Sequence, residues 1–157
     1  MNDSILEILQ TIFDRDLTKL QEEIKSYHKE ENLWLETADI SNSAGNLCLH
    51  LVGNLNTYIG ANLGTTGYVR DRDKEFSLKN VPRSKLVSMI QETMNMIDTS
   101  LTVISKDDLQ KKYPRDLNGS TPSTVRFLVH LTTHLACHLG QINYHRRLLD
   151  VCVNIKR

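Results

Sequence analysis

The chain has 157 residues, the length of one ordinary domain. Lys plus Arg equals Asp plus Glu at 19 each, and this zero net charge speaks against a strongly basic nucleic-acid binder or a polybasic membrane-surface protein. Seven glycines and three prolines are about half of ordinary usage, which leaves little room for the turns of a β sandwich or barrel and favours long helices. Six histidines, four of them between positions 130 and 145, are the unusual feature of the composition.

The first expected helix runs from about Ser4 to His28, with Ile5, Ile8, Leu9, Ile12, Phe13, Leu17, Leu20 and Ile24 at three- and four-residue steps. Asp3 or Ser4 can cap it through a short side-chain oxygen. The pattern breaks around Lys29 to Trp34, where Trp34 is expected to pack the connection. The second helix is expected from Ser41 or Ser43 to about Leu63, with Gly64 as its stop. Its apolar residues spread almost all round, as in a central, buried helix. Residues 64–81 read as a long polar loop, and loops beyond about 12–15 residues are uncommon unless functional. The third helix begins at or just after Pro82 and carries Leu86, Ile90, Met94, Ile97, Leu101 and Ile104. A second polar connection, Lys106 to Thr121, contains Pro114, Asn118 and Gly119. The fourth helix is expected to start with Thr121 as cap and Pro122 at its first position, and to run to about Asp150. Four amphipathic helices make an all-α four-helix bundle, with 1–157 as a single domain.

The start, MNDSILEILQ, has no basic region leading into an apolar run, so no secretory signal is expected. No window approaches the roughly 18 uninterrupted apolar residues of a membrane helix. Cys48, Cys137 and Cys152 are odd in number and lack CxxC spacing, which makes a reducing cytoplasm the natural setting. There is no internal repeat, no GxGxxG and no Walker A loop.

On the fourth helix, with His134 at zero and about 100° per residue, His138 falls at about 40°, His145 at about 20° and His130 at about −40°. Phe127, Leu131, Leu135, Ile142 and Leu149 share that face, whereas Thr132, Gly140, Asn143 and Arg147 lie opposite. The imidazoles are therefore expected to face the interior. Two histidines four residues apart can reach one metal ion, and His50 on the second helix can supply a third nitrogen. A set of core histidines satisfied by backbone or side-chain partners fits the same spacing, and both readings stand open at this point. His130 and His145 are assigned to packing or to supporting the ligands, His28 to the surface, and Cys137 to packing.

Some chemistry is excluded. An HExxH metalloprotease needs Glu after the first histidine, where HLACH has Leu135. Ferritin-like di-iron sites need Glu-x-x-His pairs, and the fourth helix contains no Glu. Haem is disfavoured, since CxxCH is absent and HxxxH on one helix cannot supply both axial ligands.

These residues resemble the DinB/YfiT-like superfamily of metal-dependent four-helix bundles. The fourth-helix pattern of two histidines followed by Gly-Gln-Ile is matched by His134, His138, Gly140, Gln141 and Ile142. The second-helix histidine is matched by His50 in HLVGN, and the segment Gly67 to Asp73 is similar to that of a subgroup of small bacterial proteins. The resemblance implies an up-down-down-up bundle, with the 64–81 loop as the crossover. It implies one divalent ion on His50, His134 and His138, with Zn or Ni ahead of Fe or Mn, which a three-histidine set does not separate. It also implies homodimers and, in some relatives, S-transfer with a low-molecular-weight thiol.

The function expected is therefore activation of water or a thiol by the ion, for hydrolysis or S-transfer on a small-molecule substrate, with no nucleic acid and no membrane as partner. Asn54 and Gln141, each about 40° or less from a ligand on its helix or one turn from it, are expected to hydrogen-bond at the site. Tyr58, Arg70, Arg72 and Asp73 are expected to shape its mouth, although a charge run such as RDRDK is more often a solvated face. The alternative is a non-catalytic, stress-related bundle that binds a metal or small ligand through the same histidines.

Overall fold

Serine caps set the helix starts. Ser4 accepts from the Glu7 amide while Glu7 bonds back to the Ser4 amide, opening α1 (Ile5–Lys25). Ser43 opens α2 (Ala44–Leu55) by accepting from the Asn46 amide. Asp71 caps the short α3 (Arg72–Ser77), and Pro82 precedes α4 (Arg83–Thr102). Ser105 and Asp108 form a second reciprocal cap on α5 (Lys106–Gln110), and Ser123 caps α6 (Thr124–Leu149). The computed structural model describes residues 4–116 and 119–151; Asp3, Asn118 and Cys152 lie outside them. Among the described residues there are isolated β-bridges but no strand, so the fold is all-helical.

Several boundaries differ from the sequence expectation. The first helix ends at Lys25 and not at His28, because the Ser26 amide and hydroxyl both bond the Glu22 carbonyl and close its last turn. The second is α-helical only to Leu55 and continues as a π-helical turn over Asn56–Ala61. Gly64 is not a left-handed stop: a β-carbon there would collide with Ser100 Oγ, so close packing on α4 accounts for the glycine. The two expected loops each contain a helix, α3 and α5. The cap of α6 is Ser123 and not Thr121, since the Pro122 carbonyl is taken by the Tyr113 amide outside the helix. Trp34 is buried as expected, packed on the bare α-carbon of Gly45.

The four long helices pack with defined directions. Gln21 of α1 donates to the Val87 carbonyl of α4, and Arg83 reaches the Lys25 carbonyl, so these two run antiparallel. Glu23 receives Asn143 and Arg146, and His28 just beyond α1 meets Asp150 just beyond α6, setting α1 parallel to α6. Asn56 bonds Thr93, and Gly60 and Gly64 lie against Met96 and Ser100, so α2 and α4 are parallel. His50 meets His134 while Tyr58 meets Phe127, making α2 and α6 antiparallel. The core between them is built from Phe13, Leu17, Leu51, Leu55, Ile90 and Leu131, all essentially buried. Thr132, on the face of α6 opposite the histidines, is buried, and Asn143 on that face is bonded to Glu23 of α1.

Candidate metal centre

The antiparallel pairing of α2 and α6 brings one histidine from the first opposite two from the second. His50 Nε2 lies 3.3 Å from His134 Nε2, and His138 Nε2 lies 3.1 Å from the same atom. All three ligand nitrogens fall within 4.8 Å of one another. Donors about 2.0–2.1 Å from zinc at tetrahedral angles stand about 3.3 Å apart, so the spacing suits one small cation.

The outward nitrogens explain which way the lone pairs point. His50 Nδ1 lies 3.0 Å from Glu75 Oε2, and a carboxylate only accepts, so this nitrogen carries the hydrogen and Nε2 is bare. His138 Nδ1 lies 2.6 Å from Gln141 Oε1, which fixes the same tautomer. His134 Nδ1 is buried without a partner, and its Nε2 faces the two bare nitrogens. One hydrogen on His134 can satisfy only one of them. The donor set fits a cation: three imidazole nitrogens converge and a single proton cannot serve them all.

Burial pushes the His134 imidazole down to about 4, with the neighbouring histidines adding to the fall. Burial also lowers His50, against an upward pull from Glu75. Both rings are thus neutral near pH 7, as metal ligation requires.

The remaining expected site residues divide. Asn54 is buried, with Oδ1 lacking a partner, and it lines a cavity of about 260 Å³ beside His134 together with Tyr58, Arg115, Phe127 and His130. The π turn carries Tyr58 to this cavity, where Phe127 packs against its ring and Arg115 donates to its hydroxyl at 3.1 Å. Gln141 supports His138 and lines a separate cavity of about 300 Å³ with Leu47, Tyr144 and Leu148. Arg70 lines neither of these cavities: it grips Glu75 at 2.6 and 2.8 Å, with its guanidinium 5.8 Å from the centre of the Tyr58 ring. Arg72 is exposed over the Phe76 ring, and Asp73 is exposed on the outer side of α3.

Among the other histidines, His145 is a satisfied core residue: Tyr27 Oη donates to its Nδ1 at 2.8 Å, and its Nε2 donates to the Leu35 carbonyl at 2.9 Å. His130 lines the cavity, with its ring 6.0 Å from that of Phe127 and 6.3 Å from that of His134. His28 is exposed yet bonded to Asp150 at 2.9 Å, which ties the end of α1 to the end of α6. Cys137 is exposed on α6, a correction to its assignment as a packing residue, and Cys48 is buried.

Sequence reading missed Glu75 and Arg115. The signal for Glu75 was present in DRDKEF, where Asp71 can cap a short helix and Phe76 interrupts the charged run with an apolar anchor. Phe76 packs against the His50 ring at 5.1 Å between centroids.

The family described as "Protein of unknown function (DUF1572)" matches residues 3–151. The chain belongs to this family. No curated protein matches it.

Proposed function

We propose that this member of the DUF1572 family is an up-down-down-up four-helix bundle of the DinB/YfiT-like kind, holding one divalent metal ion on His50, His134 and His138. The directions of α1, α2, α4 and α6 support the topology, and the converging nitrogens carry the metal reading. Zn or Ni comes first among the ions, with Fe or Mn as alternatives. We read the protein as an enzyme acting on a small molecule, by hydrolysis or by transfer to a low-molecular-weight thiol, and as a cytoplasmic homodimer. Among the described residues no helix is long and apolar enough to cross a membrane.

A divalent ion on three neutral imidazoles lowers the pKa of water or a thiol toward neutrality. The chain supplies the rest. The cavity beside His134 receives the small molecule, with Tyr58 and Phe127 as its flat walls. Asn54 Oδ1, buried and without a partner, accepts a hydrogen bond from the occupant. Arg115 at the rim offers guanidinium hydrogens beyond the one given to Tyr58. Phe127 and Leu131 exclude water from one side.

Metal analysis of the purified protein tests the reading, with an expected value near one divalent ion per chain and loss of it in His134→Ala and His138→Ala. Unchanged occupancy in both variants would refute it. Metal-dependent turnover is then sought with a panel of thiols plus a chlorobimane electrophile, and with esters and amides. Metal binding without turnover on any of them would favour a non-catalytic binding bundle.

A further inference from the structure

We infer that Glu75 is a positioning residue for the metal site and that Arg70 holds it in place, so that the 65–81 connection is a working part of the centre. The inference rests on the metal reading above. Glu75 comes from α3, a segment separate in sequence from both ligand helices, yet its side chain is only 6% exposed. Its carboxylate meets three donors: His50 Nδ1 at 3.0 Å, Arg70 Nε at 2.6 Å and Arg70 Nη2 at 2.8 Å. Arg70 Nη2 also passes 3.3 Å from His50 Nδ1, but both atoms carry hydrogens aimed at the same carboxylate. The pair is net neutral and orients the ring without adding charge to the interior.

Three further features hold the carboxylate there. The Asn46 side chain donates to the carbonyls of Glu75 and Leu78 at 2.9 Å each, docking α3 on α2. Phe76 stands against the His50 ring. Gly53, one turn from His50, leaves the space that Glu75 fills, since a β-carbon would stand 2.8 Å from its Cδ. A purely structural ion pair would need none of this convergence on a single ring nitrogen. A carboxylate on the far nitrogen of a ligating imidazole fixes its tautomer and orientation and strengthens it as a donor, and losing such a partner costs about 10–100-fold in metal affinity.

Two measurements on Glu75→Ala and Glu75→Gln test this. The first is the His50 tautomer by ¹⁵N NMR in metal-free protein, and the second is zinc affinity by competition with a chromophoric chelator. Wild type should carry the hydrogen on Nδ1. Glu75→Ala should move it at least partly to Nε2 and weaken zinc by about 10–100-fold, while Glu75→Gln, which keeps an acceptor oxygen, should hold the tautomer and recover part of the loss. An unchanged tautomer together with zinc affinity within about threefold of wild type in Glu75→Ala would overturn the proposal. If Glu75→Ala does not fold, Glu75→Gln and Arg70→Gln carry the affinity readout: weaker zinc supports the role, and no change in either overturns it. If wild type takes up no zinc, the metal reading fails, and the His50 tautomer in the variants decides the positioning role on its own.

Discussion

Alanine at Gly53 and alanine at Gly140 should move stability in opposite directions. Both glycines lie inside α-helices, where Gly→Ala on backbone grounds alone stabilises by about 0.5–1 kcal/mol. At Gly140 nothing stands within 4 Å of the β-carbon position, so that gain should appear almost whole. At Gly53 the β-carbon would collide with Glu75 Oε1. The carboxylate cannot swing aside freely, because Arg70 and His50 hold it and little of it reaches solvent. Forcing volume into a packed site costs about 1–3 kcal/mol, and displacement strands the half of the ion pair left behind on Arg70. The net for Gly53→Ala is a loss of about 1–2 kcal/mol, or about 2–8 °C in melting temperature for a chain of this length. Gly140→Ala should melt about 1–4 °C higher. Thermal unfolding followed by circular dichroism, with chelator present, reads both. A Gly53→Ala protein that melts at or above wild type would refute the packing of Glu75 on α2. A lower melting point for Gly140→Ala would refute the open space on that face of α6.

Zinc at about a hundredfold excess over its dissociation constant should stabilise wild type by about 2.7 kcal/mol, raising the melting temperature by about 5–11 °C in calorimetry, and His134→Ala should abolish the rise. Burial lowers the His145 pKa below its ordinary 6.5, against upward pulls from the Leu35 carbonyl and Asp150. The folded ring binds protons more weakly than the unfolded one, so its contribution is complete above 6.5 and is lost as pH falls through the folded value. Urea midpoints should therefore fall below pH 6.5, and less steeply in His145→Gln. Asp150 accepts from the His28 amide at 2.5 Å, the His28 ring at 2.9 Å and Asn32 at 2.7 Å; burial pulls its pKa up, but these bonds together hold it at about 2. Asp150→Ala should cost about 2 kcal/mol by urea unfolding, and an unchanged midpoint would mean the two chain segments are held by something else.

Periodicity made the long helices legible because each carries an apolar stripe of the right step, and short polar residues placed their starts to within two positions, at Asp3 or Ser4 and at Ser41 or Ser43, of which Ser4 and Ser43 are the caps. The π turn was not legible, since inserting a residue into a helix leaves no mark on a run such as NTYIGA that is apolar and polar by turns. The helix in the 64–81 connection was hidden by charge. DRDKE satisfies the expectation of a solvated face at four of its five positions, and only Glu75 turns inward, because Arg70, five residues earlier, neutralises it. His50, His134 and His138 were legible as a set, because HxxxH fixes two on one face and His50 can supply a third nitrogen, but what supports each ring was not. Which nitrogen of His50 bears the hydrogen depends on a residue 25 positions away. Arg70 was assigned to the mouth of the site for the same reason: sequence shows the charge of a side chain but not which buried partner it will find.

His134 and His145 offer a comparison inside one helix. They are the same residue type on one face of α6, and burial lowers the pKa of both. His145 has each nitrogen satisfied, by Tyr27 Oη and by the Leu35 carbonyl. His134 has Nδ1 without a partner and Nε2 set against two other imidazoles. Burial alone therefore does not distinguish a core histidine from a ligand; the state of its partners does. A leucine in each place should separate the two. His145→Leu takes the ring partner from the buried Tyr27 phenol, at about 1–3 kcal/mol, and the donor from the partly exposed Leu35 carbonyl at a smaller cost. His134→Leu removes an imidazole that the metal-free protein cannot satisfy, so its unfolding free energy in chelator should equal or exceed that of wild type while zinc binding disappears. Urea unfolding of both variants in chelator measures this. Equal losses in the two would mean that His134 is held as firmly as His145, and that the three nitrogens are core packing and not a cradle for a cation.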